Sequence, residues 1–174
     1  MSSTAAASNA IATSLIAELE HEGAVTRKVL ERIPPEKFDW KPHDKSMTMG
    51  RLATHVAEMH GWTKFTVEQP ELDFAKIDYK PAEPKTTDEL VQLFENSYNE
   101  AIETLKGASD DIWFEPWSLR NGDQIYFTMP KVVVMRSMVL NHIVHHRGQL
   151  SVYLRENDIP VPAMYGPSAD EGQM

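Results

Sequence analysis

His142 and His146 stand four residues apart, and His55 occupies the same kind of slot in an earlier stretch. The pair falls in the series Met135, Val139, His142, His146, Leu150, Tyr153, and His55 in the series Leu52, His55, Met59, Trp62. Both series step by three or four residues, so each traces the inward stripe of a helix. An imidazole turned toward a core is unfavourable unless its nitrogens find partners. Three of them from two helices point to one shared partner, and a divalent metal ion is the simplest. Side chains at i and i+4 have Cβ atoms ~5–6 Å apart, so both rings can reach one ion at ~2.0–2.1 Å. Three nitrogen ligands leave a position open, where a water has its pKa lowered to about 7 or a small thiol is deprotonated.

The bland account is a set of core or boundary histidines satisfied by hydrogen bonds. His55 alone would be read that way; its weight comes from the other pair. His145 lies about 100° round the helix from His146. His60 reads as solvated, His43 sits in a proline-flanked loop, and His21 is off the stripe of the first helix. All four are left outside the site. A di-iron carboxylate bundle needs two Glu-x-x-His pairs; Glu18 and His21 supply one, and His142 and His146 do not fit the pattern. A zinc-protease helix is absent too, because Ile143 stands where the catalytic glutamate would be. Glu58 and Gln149, each one turn beyond a histidine, are candidates to orient the rings, and Trp62 and Tyr153 to wall a pocket or fill the core. Arg147 reads as a solvated arginine with some reach toward an anionic substrate. No general acid or base emerges.

The elements that must position these residues are helical. The first segment runs from about Ser8 to Ile33, with Ile11, Leu15, Leu19, Thr26, Val29, Leu30 and Ile33 inward, and Pro34-Pro35 ends it. The second runs from an N-cap at Thr48 to about Val67, with Gly50 weakening its first turn. The third covers Thr87 to Lys106, opening on acidic residues and closing before Gly107. The fourth begins near Pro130 and runs to about Asn157. Residues 69–86, with three prolines, read as an irregular crossover, and Trp117 to Phe127 as a hairpin around Asn121-Gly122 that leans on the bundle. Connections of such length often shape a binding site. The fold class is all-α: one domain over residues 1–174, a four-helix bundle with a short β-hairpin or irregular insertion between helices three and four.

Composition narrows the function. A net charge of -9 and a pI near 5.2 oppose the phosphate backbone, so no nucleic-acid partner is expected. No cysteine means no disulfide, thiolate site or cysteine nucleophile, which fits a cytoplasmic protein. No apolar run approaches the ~20 residues of a membrane span, and the N-terminal residues lack a secretory signal pattern.

The run Asn141-His-Ile-Val-His-His-Arg-Gly-Gln-Leu150 resembles a signature of the DinB-like metal-binding four-helix bundles. Phe38-Asp-Trp-Lys-Pro42 with Leu52-Ala-Thr-His-Val-Ala57, and the ending Ile159 to Glu171, are similar to that family as well, in the right order over most of the chain. The resemblance implies an up-down-down-up bundle, a homodimer, and a divalent ion, nickel or zinc, held at His55, His142 and His146. It also implies a choice of chemistry, since relatives include thiol-dependent S-transferases, which use a low-molecular-weight thiol, and metal-dependent hydrolases. The competing reading is a non-catalytic metal- or ligand-binding bundle, in which the ion mainly pins one helix to another.

Overall fold

The computed structural model describes residues 9–172. Its first helical limb is α1 (Ala10–Leu30); the start predicted at Ser8 lies outside the described residues. The second limb is α2 (Met49–Glu58), a 3-10 turn at Met59–Gly61, and α3 (Trp62–Glu68). The third is α4 (Thr87–Lys106). The fourth is α5 (Lys131–Val134), a π turn at Met135–Leu140, and α6 (Asn141–Glu156). The side chain of Thr48 caps α2 by accepting from Arg51 N, and that of Thr86 caps α4 by accepting from Glu89 N. Gly50 has a reason beyond helix propensity: a Cβ there would stand 2.9 Å from Phe38 Cβ, and its N–H donates to Phe38 O.

α4 packs on α1 and α2, and α6 packs on the same two helices. The core between them is Leu15, Leu19, Leu52, Val56, Leu90, Phe94, Ile143 and Leu150, all buried. The bundle with a β insertion is the architecture the periodicity predicts. The insertion is larger than a hairpin, however. β2 (Pro116–Asn121) and β3 (Gln124–Pro130) pair antiparallel, and β1 (Glu71–Asp73) from the crossover adds a parallel third strand against β2. Asp73 Oδ1 accepts from Gly122 N at 2.9 Å, tying the crossover to the hairpin turn, where Gly122 takes a φ of +57°. The sheet leans on the bundle through Trp117, which is fully buried and donates from its indole to Phe65 O.

His60, expected in solvent, is instead fully buried. The ring continues the buried face of Ala53, Val56 and Ala57 and packs onto α4, edge-to-face with Phe94 and Tyr98. Neither ring nitrogen has a hydrogen-bond partner among the described residues. Burial, with the Arg147 charge adding to it, pushes its pKa down to about 3. The unfolded chain therefore binds a proton at about pH 6.5 that the folded chain refuses until about pH 3. Stability is complete above the first value and falls by about 1.4 kcal/mol per pH unit on the way down to the second. His60→Phe is expected to flatten this acid limb and leave neutral-pH stability equal or higher. Urea melts of both proteins between pH 7 and pH 4 measure it; parallel curves contradict the expectation.

Candidate metal centre

α2 carries His55 and α6 carries His142 and His146, and the packing of these helices brings the three rings together. The Nε2 atoms of His142 and His146 are 2.8 Å apart, and those of His55 and His142 are 3.4 Å apart. One candidate ligand atom from each residue lies within 4.8 Å of the other two. Nitrogens ~2.0–2.1 Å from a common ion stand about 2.9 Å apart at octahedral angles and about 3.4 Å at tetrahedral ones. The cluster is thus of a size and chemistry compatible with metal binding. No other His, Asp or Glu joins the group among the described residues.

The three rings are half-buried rather than central to the core. The buried stripe of α6 is Ile143, Arg147, Leu150 and Leu154, so the histidines flank it along one edge. Burial is still the largest influence on each ring. With neighbouring ring charges and the Arg51 charge it lowers the His55 pKa to about 4. His142 and His146 are pushed down by burial first as well. At neutral pH all three are uncharged, the form that donates a lone pair to a cation.

Hydrogen bonds orient two of the rings. His146 Nδ1 meets Gln149 Oε1 at 2.7 Å, and an amide oxygen can only accept, so the proton sits on Nδ1 and the lone pair on Nε2 faces the cluster. His142 bonds to the backbone of Met138, inside the π turn. Such turns recur at functional sites. Gln149 therefore has the orienting role suggested by its spacing, and it also contacts His145. Gln149→Leu is expected to weaken metal affinity by about 10- to 100-fold with the fold unchanged. A competition titration against a metal-sensitive dye reads this, and an unaltered affinity contradicts it.

Glu58 does not orient His55. Its two oxygens accept from Tyr79 OH and Ala82 N, both at 2.8 Å, so it staples the crossover to α2. Trp62 lines a cavity beside His55, whereas Tyr153 is core, packed edge-on against Trp40 with its hydroxyl on Met47 O. Arg147 is not solvated. It is 1% exposed and donates to Glu22 O, Glu22 Oε2, Thr26 Oγ1 and Tyr165 OH. His21, His43 and His145 are exposed and lie outside the cluster. Spacing missed the cavity's other walls, Arg51, Phe65, Phe74 and Ile77; apolar residues persisting in a proline-rich crossover were the available signal.

The model of the DinB family matches residues 1–173. The chain belongs to the DinB family. This DinB-family chain is 26% identical over 152 residues to YrdA of Bacillus subtilis (strain 168), covering 87% of this chain and 86% of YrdA. Its fold is similar to a DinB-like protein from Bacillus cereus ATCC 10987, with a TM-score of 0.68 at 20% identity, over 88% of this chain and 97% of that one. It is also similar to the DinB-like protein YjoA from Bacillus subtilis, with a TM-score of 0.66 at 16% identity, over 92% and 99% of the two chains. At these identities the likeness to the two structures speaks to fold alone. No helix among the described residues is long and apolar enough to cross a membrane.

Proposed function

We propose that this DinB-family protein is a metal-dependent enzyme in which His55, His142 and His146 hold one divalent ion, nickel or zinc. The observation that carries this is the convergence of three imidazoles with no fourth His, Asp or Glu in the group among the described residues. Structural sites are closed by four protein ligands, and sites that do chemistry keep a place for a reactant. An ion held there would supply Lewis acidity, which lowers the pKa of a water or a low-molecular-weight thiol. The reaction is accordingly hydrolysis or thiol S-transfer.

The chain's own residues do the rest. Gln149 and the backbone at Met138 fix two rings with their lone pairs inward. The half-buried setting keeps the rings uncharged and limits water around the reacting group. Partners are small molecules, in keeping with the acidic charge, and the working unit is a single 1–174 domain acting as a homodimer in the cytoplasm.

The test compares metal-free protein with nickel- and zinc-loaded protein on two panels, esters and amides, and small thiols with electrophiles. Turnover is expected in one panel from loaded protein only, lost in His146→Ala, with a melting temperature that falls on chelation. Silence of fully loaded protein in both panels favours the binding bundle and overturns the enzyme reading.

A further inference from the structure

Beside the histidine cluster lies a cavity of about 500 Å³, within the range of small-molecule sites. His55 forms part of its wall and is the member of the cluster that borders it. Trp62 and Phe65 of α3 face it from one side, and Phe74 and Ile77 of the crossover from the other. The Trp62 and Phe74 rings meet edge-on at 6.4 Å. Phe65 and Phe74 are 41% and 37% exposed. Large apolar side chains left open around a concavity mark a site for an apolar ligand rather than unfinished core. The far wall is held in place by the Glu58 staple to Tyr79 and Ala82.

The charges in the cavity are unequally spent. Glu58 is engaged at both oxygens, and Asp78 pairs with Lys80 at 3.0 Å in open solvent. Arg51, one turn before His55, is the one cation among the described lining residues. Its Nη1 is buried and has no hydrogen-bond partner among the described residues. The rest of the guanidinium is engaged, since Tyr79 is hydrogen-bonded to the Arg51 side chain, but Glu58 Oε2 pairs with Nη1 only at 3.9 Å, beyond hydrogen-bond reach. A buried guanidinium donor without an acceptor is a standing cost that a ligand oxygen would remove.

From the open rings and this unmatched donor we infer that the cavity is the substrate pocket, and that it takes a small aromatic or branched aliphatic carboxylate. The apolar body lies against the Trp62 and Phe74 rings, and the carboxylate accepts from Arg51. Its catalytic meaning rests on the proposed metal centre; the binding itself does not.

The test is calorimetric titration of 2-naphthoate and its neutral counterpart 2-naphthylmethanol into the full-length, metal-free chain. Naphthoate is expected to bind at one site per chain. Arg51→Met and Arg51→Gln are each expected to weaken naphthoate by about tenfold or more while leaving the alcohol unchanged. Phe74→Ala is expected to weaken both ligands. Folding of each variant is checked by its thermal transition. No saturable naphthoate binding to folded protein, or equal affinities in wild type and both Arg51 variants, overturns the proposal. Parallel zinc and nickel titrations of the same samples separate the two readings. One zinc or nickel per chain without naphthoate binding sinks the pocket alone, and naphthoate binding with neither metal taken up stoichiometrically sinks the metal centre alone.

Discussion

His146→Ala is expected to purify without stoichiometric metal, and so is His142→Ala, whereas His145→Ala keeps close to the wild-type content. The contrast follows from geometry rather than from histidine content. His142 and His146 present Nε2 atoms 2.8 Å apart toward His55, while His145 is exposed and outside the group. Removing one of three nitrogens leaves two from the protein, and the lost ligand is not replaced because no other His, Asp or Glu stands in the group among the described residues. Elemental analysis after loading and desalting measures the effect. Metal retained at one per chain in His146→Ala contradicts the assignment, as does its loss in His145→Ala.

The largest effect on stability is expected at Arg147. Its guanidinium is 1% exposed and pairs with the Glu22 carboxylate at 2.5 Å, while Glu22 is itself 8% exposed. Truncation leaves a buried carboxylate whose remaining hydrogen-bond partner among the described residues is the Tyr165 hydroxyl, at 2.8 Å. Breaking a buried pair from one side destabilises by about 3–5 kcal/mol. Against a total stability of about 5–15 kcal/mol for a typical protein this is a large fraction. Arg147→Ala should therefore shift the urea midpoint strongly. The double variant Arg147→Met with Glu22→Leu should recover much of the loss, because no charge is then left unpaired. A loss under about 1 kcal/mol in Arg147→Ala contradicts the reading. The same pair ties α1 to α6 one residue from His146, and Tyr165 brings the C-terminal segment to it.

Local periodicity carried the elements well. Thr48, Pro34-Pro35 and Gly107 act on chain next to themselves, so their effect is legible from a few residues; the hairpin turn is legible to within one residue, since Asn121 pairs with Gln124 and the loop is Gly122-Asp123. The His142–His146 pair was legible for the same reason, since four residues is one helical turn. What periodicity misjudged was depth. It placed both rings in the middle of the inward stripe, whereas the packed centre is Ile143, Arg147 and Leu150 and the histidines lie on its edge.

The misplaced residues share a cause. Arg147 looks solvated from sequence because its partners, Glu22 and Thr26, lie more than a hundred positions away on α1, and spacing within one helix carries no such information. His60 reads as solvated when the inward stripe is drawn through Leu52, His55 and Met59, because five positions from His55 points elsewhere. The buried face that α4 covers instead runs through Ala53, Val56, Ala57 and His60, with His55 at its margin. β1 was missed because three residues are too few to show alternation, and the strand exists through its pairing with β2. The π turn before His142 likewise has no periodic signature. Glu58 was suggested as a ring partner on spacing alone; the crossover competes for both its oxygens and holds them.

X-ray absorption at the metal edge of nickel- or zinc-loaded protein tests the central claim most directly. The account predicts three imidazole nitrogens at ~2.0–2.1 Å with at least one further light ligand from outside the protein, and loss of that three-imidazole shell in His55→Ala. A shell of oxygen ligands without imidazole scattering would contradict it, as would an unchanged spectrum when His55 is replaced.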